Sequence, residues 1–205
     1  MSSNRLPKKV LMDFSGKPII RNVVDSAGID KVVVLTSEEL SDDPLAEYLK
    51  AEGIEHFRGS LDDVYGRFCG AINYYKPDWV MRICADSPLI PPLLLETMAK
   101  IERGDADIIT NVFPRNFPKG HSVEIIRAKT MLDVAREQLS DSDREHVTPY
   151  FYRNADKFKI ISVTQPEDMS HLDMAVDTKE DYDRLQAMSQ DHIKYNPASW
   201  RVELC

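Results

Sequence analysis

Two carboxylates define the chemistry this sequence can support. Asp86 stands in Arg82-Ile83-Cys84-Ala85-Asp86-Ser87-Pro88-Leu89-Ile90, directly after an apolar stretch that reads as a strand, and Asp177 follows residues 171–176 in the same way. Open α/β sheets bind ligands beyond the carboxyl ends of their strands. Two carboxylates there can hold Mg²⁺, a hard cation that takes oxygen ligands and shares them with phosphates. Each also has an ordinary alternative, because either can cap a helix. The segment Ser2-Ser3-Asn4-Arg5-Leu6-Pro7-Lys8-Lys9 joins small polar residues to three cations. That is the make-up of a loop wrapping a polyphosphate, or of a solvated chain end. Arg58 and Ser60 can hydrogen-bond a base edge or simply build the turn before Asp62-Asp63-Val64. His146, in Arg144-Glu145-His146-Val147-Thr148-Pro149, either touches substrate or packs within a helix. No nucleophile triad, zinc cluster, P-loop or Gly-x-Gly-x-x-Gly is present.

The elements that must position these groups follow from periodicity. Short runs rich in Val and Ile alternate with helical stretches, the pattern of βαβ units and a mainly parallel sheet. Strands are expected at 31–36, 79–84, 106–110, 123–126, 158–163 and, with a weaker pattern, 171–176. Helices are expected at 18–26, 43–52, 62–75, 92–103, 128–139, 144–153 and 179–188, the last capped by Asp177 or Thr178. Residues 113–122, with Pro114, Pro118 and Gly120, form the longest irregular stretch and a candidate active-site loop. In such sheets a central first strand usually feeds the phosphate-contacting loop, yet here the loop-like segment comes first. A leading strand is missing, so the strands at 31–36 and 79–84 are expected to close up, recruit residues near the N-terminus, or leave a water-filled groove. In each case residues 1–9 would be poorly anchored.

Composition narrows the partners. The 205 residues suit one domain spanning 1–205, and 42% hydrophobic with 29% charged residues is ordinary for a globular chain. The net charge of −8 disfavours nucleic acid and anionic membranes. Residues 1–10 do not read as a secretory signal, and no apolar run is long enough to span a bilayer. Three cysteines without metal-ligand spacing fit a reducing compartment, and hence the cytoplasm.

Taken in order, seven segments resemble the cytidylyltransferases of the spore-coat polysaccharide family, relatives of enzymes that make CMP-activated sugar acids. They are Met1-Ser2-Ser3-x-Arg5-Leu6-Pro7-x-Lys9-Val10-Leu11, Gly16-Lys17-Pro18, Val34-Leu35-Thr36-Ser37, Phe57-Arg58-Gly59-Ser60-x-Asp62-Asp63-Val64, Arg82-Ile83-x-x-Asp86-x-Pro88-Leu89-Ile90, Arg144-Glu145-His146-Val147-Thr148-Pro149-Tyr150 and Val176-Asp177-Thr178-x-Glu180-Asp181. The resemblance implies a Rossmann-like three-layer α/β/α sandwich of the nucleotide-diphospho-sugar transferase type. It implies CTP as donor, Mg²⁺ as cofactor, a sugar or sugar-acid acceptor, and a homodimer. On the same grounds Arg5 and Lys9 match the phosphate-binding loop, and Asp86 and Asp177 the metal-binding carboxylates. Arg5, Lys9 and Asp86 would carry catalysis. Thr36, Ser37, Arg58 and Ser60 would lie at the nucleotide, and Asn111, Glu124 and His146 on the acceptor side.

This sequence also departs from the family pattern. A leading strand ending in Gln-Ala-Arg is absent, a Gly-Lys pair is replaced by Lys8-Lys9, a Leu-Asp-Val-Glu run by His121-Ser122-Val123-Glu124, and an Arg-Trp or Arg-Leu pair by Asp173-Met174. Two alternatives to CMP transfer stand beside it. One is a catalytically impaired nucleotide-binding homologue. The other is a nucleotide-sugar-dependent glycosyltransferase of the same fold class, although no Asp-x-Asp lies around Asp86.

Overall fold

The computed structural model describes residues 5–28, 31–188 and 193–205, so residues 1–4 of the N-terminal segment lie outside the described residues. A two-strand hairpin, β1 (Asp13–Phe14) and β2 (Lys17–Pro18), leads into α1 (Ile19–Ala27). Ser15 and Gly16 make its turn with φ of 56° and 86°, the doubly left-handed pair that a two-residue hairpin requires. There follow β3 (Val34–Ser37), α2 (Asp43–Ala51), β4 (His56–Gly59), α3 (Val64–Tyr75), β5 (Trp79–Arg82), α4 (Pro92–Ala99), β6 (Ile108–Thr110) and β7 (Glu124–Arg127). The chain ends with α5 (Ala128–Asp133), α6 (Asp141–His146), α7 (Pro149–Arg153), β8 (Ile160–Thr164), α8 (Lys179–Gln186) and β9 (Arg201–Leu204). Among the described residues no helix is long and apolar enough to cross a membrane.

Most expected elements are present with shifted ends. The helix expected at 144–153 is two helices, because Pro149 lacks an N–H and starts a new helix at the position where that costs least. The helix expected at 128–139 stops at Asp133, where Val134 is extended. Residues 171–176 form turns with one isolated bridge, Lys119 to Asp173, instead of a strand.

The sheet is mixed where a mainly parallel one was expected. Its five strands run β5-β7-β6-β8-β9, and β7 lies antiparallel to both β5 and β6. No helix intervenes between β6 and β7, and without a crossover helix the chain returns antiparallel. Parallel pairing survives at β6–β8 and at β3–β4, which forms a separate two-stranded sheet. Consecutive isoleucines define the layers. Ile108, Ile126 and Ile160 pack with Tyr65, Met131 and Phe151 on one face, whereas Ile109 and Ile125 pack with Leu94, Leu95 and Met98 on the other. Alternation along each strand thus puts helices on both sides.

A cavity of about 430 Å³ lies between β3 and β5. Residues Val32, Val33, Val34 and Leu35 line one wall and Trp79, Met81 and Ile83 the other, with Ile20 and Val23 of α1 and Phe68 and Ile72 of α3 closing the two faces. Of the three outcomes expected, the sheet leaves a groove, and its walls are mainly apolar. The Val34 amide bonds Glu55 in the turn before β4, so Val33 and Leu35 turn their backbone groups toward the gap. The Ala128 amide likewise bonds Asp78, which turns Trp79 and Met81 the same way from the other side. Lys31 lies over the Tyr75 ring at one end of the gap, so both bordering strands begin there and run in the same direction.

Candidate active site

Lys9 organises the site. It sits on a short 3₁₀ turn, Lys9–Leu11, entered through Lys8 at φ 60°, ψ 18°. That left-handed conformation suits the glycine of the family pattern and strains a lysine. From this turn the Lys9 ammonium donates to Asp86 Oδ2 at 2.8 Å, Asp177 Oδ1 at 3.0 Å and the Val176 carbonyl at 2.7 Å. Its side chain is 13% exposed. Poor anchoring was expected here, and for Lys9 the opposite holds. Burial alone would lower its pKa, but the two carboxylates outweigh it and raise the ammonium above its usual value.

Asp86 follows β5 and is stitched to the other acid by the Val176 amide, which donates to the Asp86 carbonyl. Thr178 settles which residue caps α8. Its hydroxyl accepts from the Asp181 amide while the Asp181 carboxylate accepts from Thr178, a reciprocal capping box. The Asp177 carboxylate is thereby left to the cations, meeting Arg5 at 3.2 Å, Lys9 at 3.0 Å and Lys119 at 3.1 Å. Burial pushes this carboxyl up, and the hydrogen bonds and charges of Lys9 and Lys119 overcome it and hold it at about 2.

A pocket of about 610 Å³ opens beside this cluster, with Asp86 and Asp177 in its wall. Glu124, 2% exposed, pairs with Arg82 and accepts from the Tyr152 hydroxyl at 2.6 Å, whose oxygen in turn accepts from the Thr110 hydroxyl at 3.0 Å. Arg115, Lys119 and Arg153 add positive charge to the lining. His146 lines the pocket too, at the end of α6. Val147 beside it is fully buried at φ 74°, ψ −54°, with the Thr148 amide bonded to the His146 carbonyl at 2.9 Å. This is a γ-turn on a β-branched residue, a strained arrangement that holds His146 and Thr148 at the pocket wall.

The remaining expected residues lie elsewhere. Asn111 is fully buried and braces the candidate loop, donating to the His121 carbonyl and accepting from the Val123 amide, both at 2.8 Å, so it stands behind the pocket wall. Thr36 and Ser37 direct their hydroxyls onto Asp42 at 2.6 and 2.8 Å. Arg58 holds the Ser37 and Glu39 carbonyls and pairs with Asp43 at 2.7 Å. The Ser60 hydroxyl accepts from the Asp63 amide. These four meet at the carboxyl end of the β3–β4 pair, in register, and apart from the pocket lining. Arg82, Lys119 and Tyr152 were not singled out from sequence. Lys119 lies in the loop marked as irregular, and Arg82 in the Asp86 segment, but nothing in the sequence signals that Tyr152 reaches Glu124.

Gly120 locks the loop in place. At φ 87° a Cβ there would lie 2.4 Å from the Met174 carbonyl carbon, because Lys119 and Met174 exchange a close backbone contact. Asp173, at a position departing from the family pattern, pairs with Lys119 at 2.8 Å.

Comparison with known proteins identifies the family and the fold. The cytidylyltransferase family model matches residues 1–197. Spore coat polysaccharide biosynthesis protein SpsF of Bacillus subtilis is 31% identical, covering 93% of this chain and 83% of its own. The 3-deoxy-manno-octulosonate cytidylyltransferase of Aeromonas hydrophila is 29% identical over 74% of this chain and 72% of its own. A solved cytidylyltransferase from Leptospira borgpetersenii superposes with a TM-score of 0.85 at 32% identity, covering 93% and 85% of the two chains. A CMP:2-keto-3-deoxy-manno-octonic acid synthetase complexed with CTP shares the fold, with a TM-score of 0.65 at 17% identity over 91% and 93%.

Proposed function

The chain belongs to the cytidylyltransferase family, and from that premise we propose that it transfers CMP from CTP to a sugar acid used in surface polysaccharide, at the cluster of Lys9, Asp86 and Asp177. The observation that carries the proposal is the convergence of these three side chains, from opposite ends of the sequence, beside a cationic pocket. An acceptor hydroxyl attacks the α-phosphorus in line, the bond to the β-phosphate bridging oxygen breaks, and pyrophosphate leaves. Such a reaction needs positioning and charge neutralisation more than covalent chemistry. Lys9 and Arg5 are the cations on the triphosphate side. Arg115, Lys119 and Arg153 suit the carboxylate of an acidic acceptor, and Glu124, held by Arg82 and Tyr152, offers a fixed hydrogen-bond acceptor for its hydroxyls.

Two carboxylate oxygens and the Val176 carbonyl all lie within 3.0 Å of one point, and this all-oxygen set fits Mg²⁺. Asp86 and Asp177 would hold the metal. Bound there, Mg²⁺ neutralises charge on the phosphates. Thr36, Ser37, Arg58 and Ser60 set the shape of the loops at the carboxyl end of the β3–β4 pair, where a cytosine would lie. Calorimetry with CTP, UTP, ATP and GTP in Mg²⁺, followed by mass spectrometry of mixtures with sugar acids, tests the proposal. Preference for CTP and a new CMP conjugate are expected; tight binding of a nucleotide-sugar without CTP turnover overturns it.

A further inference from the structure

The ammonium of Lys9 sits at the point where a cation's ligands would converge. Its three protons go to three oxygens at 2.7–3.0 Å, two of them carboxylates and one the Val176 carbonyl. The carboxylate oxygens reached by one nitrogen lie within about 6 Å of each other, and without a cation between them they repel. A divalent ion bound to all three oxygens would have to displace the ammonium, because the Lys9 nitrogen occupies the point where they converge. Lysine is suited to moving. Its charge is a compact point on a flexible four-carbon stem, so the head can leave while the 3₁₀ turn stays in place.

We infer that Lys9 is a resident cation that holds the Asp86–Asp177 pair together in the metal-free protein, and that it exchanges with the incoming metal and is released toward the phosphates. The exchange rests on the metal reading above. It explains why Lys9 is mostly buried against both acids while Arg5, nearby and 65% exposed, pairs with Asp177. It makes Lys9 a positioning residue for the metal, and gives nucleotide and metal a reason to bind together. Phosphates that take up the released ammonium favour the metal-bound state, and the metal in turn frees the ammonium.

The test is Mn²⁺ binding to nucleotide-free protein, followed by electron paramagnetic resonance, for the native chain, Lys9→Met, and Lys9→Met with Asp177→Asn. Removing the resident cation should tighten Mn²⁺ binding by at least about tenfold, the weight of one charge-assisted hydrogen bond. Lys9→Met should also melt lower than the native chain without metal and gain more from added Mg²⁺. If it proves too unstable, Lys9→Gln keeps a neutral donor in place and should show the same direction. Equal or weaker Mn²⁺ binding by a cooperatively melting Lys9 variant overturns the exchange. If Asp177→Asn abolishes that equal binding, the carboxylate site stands and only the exchange fails; if it has no effect, both fail.

Discussion

The empty position between β3 and β5 gives the most quantitative prediction. Consider an apolar strand of about seven residues, close to the usual strand length, added on the amino-terminal side of Met1. Enclosed apolar space costs about 24 cal/mol per Å³, so the cavity of about 430 Å³, partly open to solvent, represents at most about 10 kcal/mol. Ordering seven residues costs about 1–2 kcal/mol each, which roughly cancels that gain. The hydrogen bonds then decide the sign. Val33, Leu35, Trp79 and Met81 present backbone N–H and C=O groups from both sides, and at about 0.5–1 kcal/mol per bond they leave a net gain of about 5 kcal/mol. For a chain of this size that is about 10–20 °C in melting temperature. Because the added strand would lead straight into Arg5 and Lys9, CTP affinity measured by calorimetry should rise as well. A control strand carrying proline at alternate positions should give neither effect. If the apolar strand raises neither melting temperature nor affinity, the account of this cavity as a strand position is wrong.

Three further outcomes follow from single residues. Gly120→Ala forces a methyl group into the backbone of Met174 and Ala175 and should cost about 2–4 kcal/mol in denaturant unfolding. Lys8→Gly removes a side chain from a left-handed position and should add up to about 1 kcal/mol, read as a small rise in melting temperature; a fall would show that Lys8 is not strained. The Arg153 hydrogen bond holds the fully buried Asp143 carboxyl at about 2 despite its burial. Its folded pKa lies below the unfolded value near 4, so its stabilisation is present above about pH 4 and lost as pH falls toward 2. Arg153 is half exposed, so solvent screens the pair, and Asp143→Asn should flatten that part of the pH–stability profile.

The alternation of apolar runs and helical stretches was enough to recover the α/β class and most elements, because those signals are local. The capping box at Thr178 and Asp181 is local as well, and it was legible in the residues themselves. Strand direction was not. Whether β7 runs with or against β5 depends on the lack of a helix between Thr110 and Glu124, which the proline-bearing loop only hinted at. The two acids could be found because each follows an apolar run. Their union through Lys9 spans most of the chain, and no spacing rule reports contacts of that range. Asn111 shows the converse. The resemblance put it on the acceptor side, and its side-chain amide is engaged in holding a loop, a contact that no local pattern signals.

The most direct measurement is pyrophosphate release from CTP with Mg²⁺ and a panel of sugar acids, comparing the native chain with Asp86→Asn and Asp177→Asn. An amide binds Mg²⁺ poorly and cannot offset triphosphate charge, so both variants should keep a cooperative melt and lose at least about 100-fold in turnover. Unchanged pyrophosphate release in both would contradict the assignment of CMP transfer to the Lys9–Asp86–Asp177 cluster.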